Sequence, residues 1–213
     1  MKSVPLLLAS FCLLLCSCQS AYYGAMEKFG VHKRDILVDR VEEAREAQEE
    51  AKEQFESAFE EFLAVSEVDV SELKAVYDRL QAAFNESEAK AKAVRSRIKA
   101  IDEVSKALFK EWEGELEQYT SPELRAVSAE QLESTQKLSK NLIQAMDGAA
   151  AKMDPVLNAF RDQVLFLKHN LNAQAIAALN KTSLALREEV EVLIKQMEAS
   201  IDEANAFVAQ MRS

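Results

Sequence analysis

The sequence predicts an all-α protein: a long antiparallel helical bundle or coiled coil of four helices, with a three-helix arrangement as the alternative. Three observations predict it. Across residues 71–119 the residues Leu73, Tyr77, Leu80, Phe84, Ser87, Ala91, Val94, Ile98, Ile101, Ser105, Leu108 and Trp112 recur at alternating steps of four and three. That is the heptad spacing of a helix that buries one seam against other helices. Helix breakers are scarce, with 4 Gly and 3 Pro in 213 residues. The remainder is rich in Ala, Glu, Leu and Lys, the composition of long helices rather than sheets.

The chain opens with Lys2 and an apolar run over residues 4–15. Such a run is too short to cross a bilayer but suits the central region of a signal peptide. It ends Leu15-Cys16-Ser17-Cys18. This resembles the lipobox of bacterial lipoproteins: Leu at −3, a small residue at −1, and the Cys that becomes the lipidated first residue. Cys16 fits worse, because Leu15 is too large for the −1 position. An ordinary signal peptide cleaved elsewhere is the plain alternative. By the same resemblance, Gln19 is not the Asp that retains lipoproteins in the inner membrane, so outer-membrane sorting facing the periplasm is expected. The expected division is residues 1–17 as a lipoprotein signal peptide, 18–33 as lipidated N-terminus and spacer, and 34–213 as the helical domain. Cys18 is the expected lipid-attachment site.

The spacer is punctuated by Gly24 and Gly30. A first helix then runs from Arg34 or Asp35 to about Ser66 on a seam of Leu37, Val41, Ala44, Gln48, Ala51, Phe55, Ala58 and Phe62. Glu42, Glu46, Glu49, Glu53, Glu56 and Glu60 share the opposite face, which reads as a solvated surface rather than a cation site. A turn over residues 65–71 follows, with Asp69 and Glu72 placed as a capping pair for the second helix. Lys90, Arg95 and Arg97 flank that helix's seam and are expected to pair with acids on adjacent helices.

Ser121-Pro122 starts the third helix, a hydroxyl cap followed by Pro at the first helical position, and Ser128 with Gln131 offers a second start. Its apolar positions are Leu132, Leu142, Met146, Met153, Val156, Phe160 and Leu167. Asp154-Pro155 either kinks this helix or begins a new one, with Gly148 weakening the same place. The three-helix alternative turns at 148–155 and continues as one helix from 155 to 212. The four-helix reading turns at 168–172, where Asn tolerates the left-handed conformation of a helix end. A last helix carries Ile176, Leu179, Val190, Ile194, Met197, Ile201, Ala204 and Val208.

Composition also limits function. With 36 acidic against 26 basic residues the formal charge is −10, which repels phosphate backbones and makes nucleic acid a poor partner. No Gly-rich phosphate loop is present, so no nucleotide is expected. Neither histidine stands in a Glu-x-x-His motif, since Phe29 precedes His32 and Phe166 precedes His169 at that offset. The cysteines lie at 12, 16 and 18, too few in the mature chain for a metal site or an internal disulfide. No cofactor, no metal and no enzymatic activity are expected.

Residues 163–186 carry only two charges, Lys168 and Lys181. Their amides either cap helix ends at a turn or mark a contact surface, since low charge suits a desolvated interface. His169, Asn170, Asn172, Gln174 and Asn180 are the candidate interaction tip.

Two stretches, residues 22–41 (Tyr22-Tyr23-Gly24-Ala25-Met26-Glu27-Lys28-Phe29 onward) and residues 167–177 (Leu167-Lys168-His169-Asn170-Leu171-Asn172 onward), carry a family resemblance. They are similar to a proteobacterial family of helical lipoproteins known only as a domain of unknown function. The resemblance implies an envelope location and a coiled, helical body, and it supplies no activity. The expected role is a lipid-anchored, non-enzymatic scaffold or protein-interaction module, contacting a protein partner or a second copy. The alternative is a periplasmic carrier with an apolar ligand inside the bundle, for which Ser87, Ala91 and Ser105 leave room along the seam.

Overall fold

The structure, a computed structural model, describes residues 32–65 and 69–212 together with Met26 and Gly30; Cys18, the signal peptide and most of the spacer lie outside the described residues. Four helices make up the body: α1 (Lys33–Ala64), α2 (Leu73–Leu116), α3 (Pro122–His169) and α4 (Ala173–Arg212). No strand occurs among the described residues. Each helix packs on its neighbour in sequence, and α4 packs back on α1, closing a ring of antiparallel helices. The longest, α3, has 48 residues and so is about 70 Å long. One end, the base, holds the start of α1, the α2–α3 turn and the end of α4. The tip holds the other two turns.

Each expected seam is where the core lies. All the α1 seam positions from Leu37 to Phe62 are buried, including Gln48. Along α2 the expected positions are buried except Tyr77 and Trp112, which are half-buried, while Val76 and Val104 join them. Trp112 instead spans the α2–α3 interface, its Nε1 donating to Ser128 Oγ at 2.8 Å. Ser128 is therefore a buried partner inside α3 and not a second helix start.

The core changes character along its length. Toward the tip, Phe160 stacks on Phe62 at 4.3 Å between ring centroids and reaches Phe55 at 6.2 Å. Midway, the buried positions are small: Ala44, Ala51, Ala91, Ala149, Ala150 and Ala204. Small side chains let helix axes approach, and Gln48 and Ser200 meet across α1 and α4 in this waist at 3.1 Å. The Nε2 group of Gln48 has no hydrogen-bond partner among the described residues. Ser87, Ala91 and Ser105 are closed to solvent, and Ser105 shares a 2.9 Å hydrogen bond with Ser139. They draw helices together and line none of the grooves described below.

The three cations flanking the α2 seam pair with acids on adjacent helices. Lys90 meets Glu50 at 2.8 Å, Arg97 meets Glu43 at 2.7 Å, and Arg95 meets Asp154 at 2.6 Å. Hydrogen bonding to Lys90, with its charge nearby, holds the Glu50 carboxyl below its usual range, and Glu50 raises Lys90 in turn. Of the α1 carboxylates, Glu46, Glu53, Glu56 and Glu60 are exposed. Glu42 and Glu49 are half-buried and engage Arg212 and Lys52.

Helix ends follow side-chain chemistry. Ser121 Oγ accepts from Leu124 N at 3.3 Å, with Pro122 beginning α3. Asp69 Oδ1 accepts from both the backbone and the hydroxyl of Ser71, at 2.9 and 2.6 Å. These two bonds hold the Asp69 carboxyl below its usual range. They open a short 3₁₀ turn (Val70–Glu72), so Ser71 rather than Glu72 completes the cap.

Two alternatives left open at Pro155 are set aside. The helix neither restarts at Asp154 nor turns at 148–155, because α3 passes through Gly148 and Pro155 to His169. The three-helix arrangement is thereby excluded. Met153, Val156 and Leu157 are buried on either side of the proline, so packing holds the segment helical where propensity alone would break it. Arg95 of α2 lies alongside, its guanidinium 3.4 Å from the Ala150 carbonyl as well as on Asp154.

Candidate interaction surfaces

The tip turn between α3 and α4 is built from its asparagines. Asn170 Nδ2 donates back to the Phe166 carbonyl at 2.8 Å, closing the last turn of α3. Asn172 Oδ1 accepts from the Gln174 backbone N–H at 3.0 Å, capping the start of α4. The left-handed conformation expected here is absent: Asn170 has φ −132°, and no described residue other than Gly30 has positive φ. The side-chain caps do the work a left-handed residue would have done. Lys168 and His169 fall in the last turn of α3, where positive charge complements the helix dipole.

His169, Asn172 and Gln174 are exposed and Asn170 is half-buried. Asn180 lies in α4, and its side chain is outside the described residues. The asparagine side chains are thus engaged by their own turn, and their presence needs no partner to account for it.

What the same end does offer is apolar surface. Leu165 is 52% exposed, Leu171 40% and Phe166 39%, and Val70 in the other tip turn is 44% exposed. The sequence carried a signal for Leu165 and Phe166. Val164-Leu165-Phe166-Leu167 is an unbroken apolar run, whereas a helix at the rim of a bundle turns only about half of such a run inward. Val164 and Leu167 take the core positions.

Grooves flank α4. One, of about 870 Å³ between α1 and α4, has Phe59, Leu63, Val190 and Ile194 in its lining, with Glu56 and Glu60 among its charged residues. Arg187 lies over the Phe59 ring, 5.4 Å from its centroid. Another, of about 310 Å³ at the base, is lined by Trp112, Arg34 and polar side chains including Gln131 and Thr135. Both are surface grooves.

No cluster of three metal-ligating side chains exists among the described residues, and no described helix is long and apolar enough to cross a membrane. A family model described as "Protein of unknown function (DUF2959)" matches residues 22–211. The chain belongs to that family. No match to it is found among curated proteins or among solved structures. The DUF2959 match takes in all of α1, α2 and α3 and ends within the last turn of α4.

Proposed function

We propose that this DUF2959 protein is a lipid-anchored, non-enzymatic scaffold of the bacterial envelope, an outer-membrane lipoprotein that presents a protein-contact surface at the tip of its bundle. The observation that carries this reading is the exposed apolar group Leu165, Phe166 and Leu171 at the end opposite the start of α1. Solvent-exposed Phe and Leu side chains grouped on a charged body mark contact surfaces. The lipobox-like Leu15-Cys16-Ser17-Cys18 supplies the anchor. Several acyl chains on one cysteine, each methylene contributing about 0.8 kcal/mol, hold far more firmly than one chain.

Two measurements test the reading. Cys18→Ala should release the protein from membranes and abolish labelling by a fatty-acid analogue. Leu165→Glu with Phe166→Glu should remove in-cell crosslinks to a protein partner or to a second copy, while helicity and melting temperature stay native. Unchanged labelling sinks the anchor, and unchanged crosslinks sink the tip. The carrier alternative predicts lipid retained by the purified protein in native mass spectrometry.

A further inference from the structure

The base carries a feature that the tip reading leaves unused. Lys33 meets Glu111 at 2.9 Å, so α1 begins level with residue 111. The ends of α2 and α3 run on past it. From residue 113 to residue 127 every side chain is exposed except the half-buried Leu116 and Ser121. Three of the exposed ones are large and apolar: Leu124 at 60%, Val127 at 55% and Tyr119 at 42%. Among α1 to α4 no helix covers this hairpin end, and these side chains serve no core there.

The chain length outside the described residues says what faces this end. From Cys18 to His32 a fully extended chain spans at most about 50 Å. Arg34 lies beside Met211 at the end of the 40-residue α4, so the start of α1 is roughly 60 Å from the tip, just beyond that reach. A cysteine fixed in a bilayer therefore keeps the start of α1, and the hairpin end beside it, toward the lipid. The charge there selects the lipid. Glu113, Glu115, Glu117 and Glu123 outnumber Arg125, so an anionic surface repels this end and a zwitterionic one does not. Tyr119 adds an amphipathic ring, suited to a headgroup boundary.

We propose that the α2–α3 end of the bundle rests on the zwitterionic lipid surface holding the anchor, with Tyr119, Leu124 and Val127 entering the interface. This rests on the anchor reading, and the test separates the two. Cys18 is the single thiol of a chain beginning at that residue, so it can be coupled to a maleimide lipid in phosphatidylcholine vesicles without any natural acylation. Two single-tryptophan chains, both carrying Trp112→Phe, report the two ends: Leu124→Trp at the base and Phe166→Trp at the tip.

With bromine-bearing acyl chains the base reporter should be quenched and blue-shifted, and the tip reporter unchanged. Val127→Glu, or phosphatidylglycerol added at low salt, should weaken the base quenching. Equal emission of the base reporter in brominated and ordinary vesicles overturns the proposal, as does equal quenching at both ends. Natural acylation is read separately, from the intact mass of the membrane-derived protein. An unmodified Cys18 with a quenched base reporter sinks the anchor and leaves the lipid-facing surface standing. An acylated Cys18 with a silent base reporter does the reverse.

Discussion

Phe160→Ala is the sharpest probe of the core, and the same helix provides its control. Phe160 is 0% exposed and stacked on Phe62, whereas Phe166, six residues on, is 39% exposed. Truncating a fully buried Phe removes its transfer free energy and leaves a cavity, together costing about 3–5 kcal/mol. The ring partner Phe62 has no other aromatic neighbour within the described stack, so the cavity stays lined rather than collapsing onto it. For a chain of this size about 1 kcal/mol moves the melting temperature by about 2–4 °C, so a fall of about 6–20 °C is expected. Phe166→Ala should cost about 1 kcal/mol or less. Urea unfolding followed by far-ultraviolet circular dichroism gives both values, and an unchanged slope shows that stability rather than compactness changed. Equal midpoint shifts for the two variants would refute the assignment of the α3 faces, and with it the stacked core.

Gln48→Met combined with Ser200→Ala removes the unpartnered Nε2 together with the hydroxyl that Gln48 Oε1 accepts from, so stability should rise by about 1 kcal/mol in the same assay; a loss of that size contradicts the orphaned donor. The Glu50–Lys90 pair has a pH signature. Glu50 titrates below its usual range, so its contribution is present at neutral pH and lost as pH falls through that lowered value. Lys90 titrates high, so its contribution is lost only as pH rises through the raised value. A double-mutant cycle with Glu50→Gln and Lys90→Gln should show coupling at neutral pH and none in strong acid; coupling that survives acid is evidence against the pairing.

The seams were legible because burial has the period of the helix. The α1 seam from Leu37 to Phe62 could be named from spacing alone, and so could the cations Lys90, Arg95 and Arg97, while Val38 and Phe59, which that spacing omits, are buried beside the seam. Spacing is a local property, and the misses are where a distant residue decides. Trp112 and Ser128 each fitted a local pattern, yet they satisfy one another across two helices. Pro155 reads as a break in isolation and is overruled by the packing of Met153, Val156 and Leu157. At the tip, spacing left caps and a contact surface as alternatives for Asn170 and Asn172, and both side chains cap their own turn. The residues that do present surface, Leu165 and Phe166, sit in an unbroken apolar run, of which a rim helix buries only part.

The closing of α4 onto α1 also bears on how the chain is assembled. The α1–α2 and α3–α4 hairpins join neighbours through short turns, so each can zip locally. The contact of Arg34 with the Met211 carbonyl joins residues 177 apart in sequence. Bringing such distant points of a bare chain together costs about 2–3 kcal/mol more than closing a ten-residue loop. The side of α1 that receives Ser200 and Ala204 is therefore bare until the last helix exists. Residues 173–212 are the final part of the described chain to be synthesised, so a ribosome that stops short of them leaves the earlier helices holding an open groove in place of a finished core.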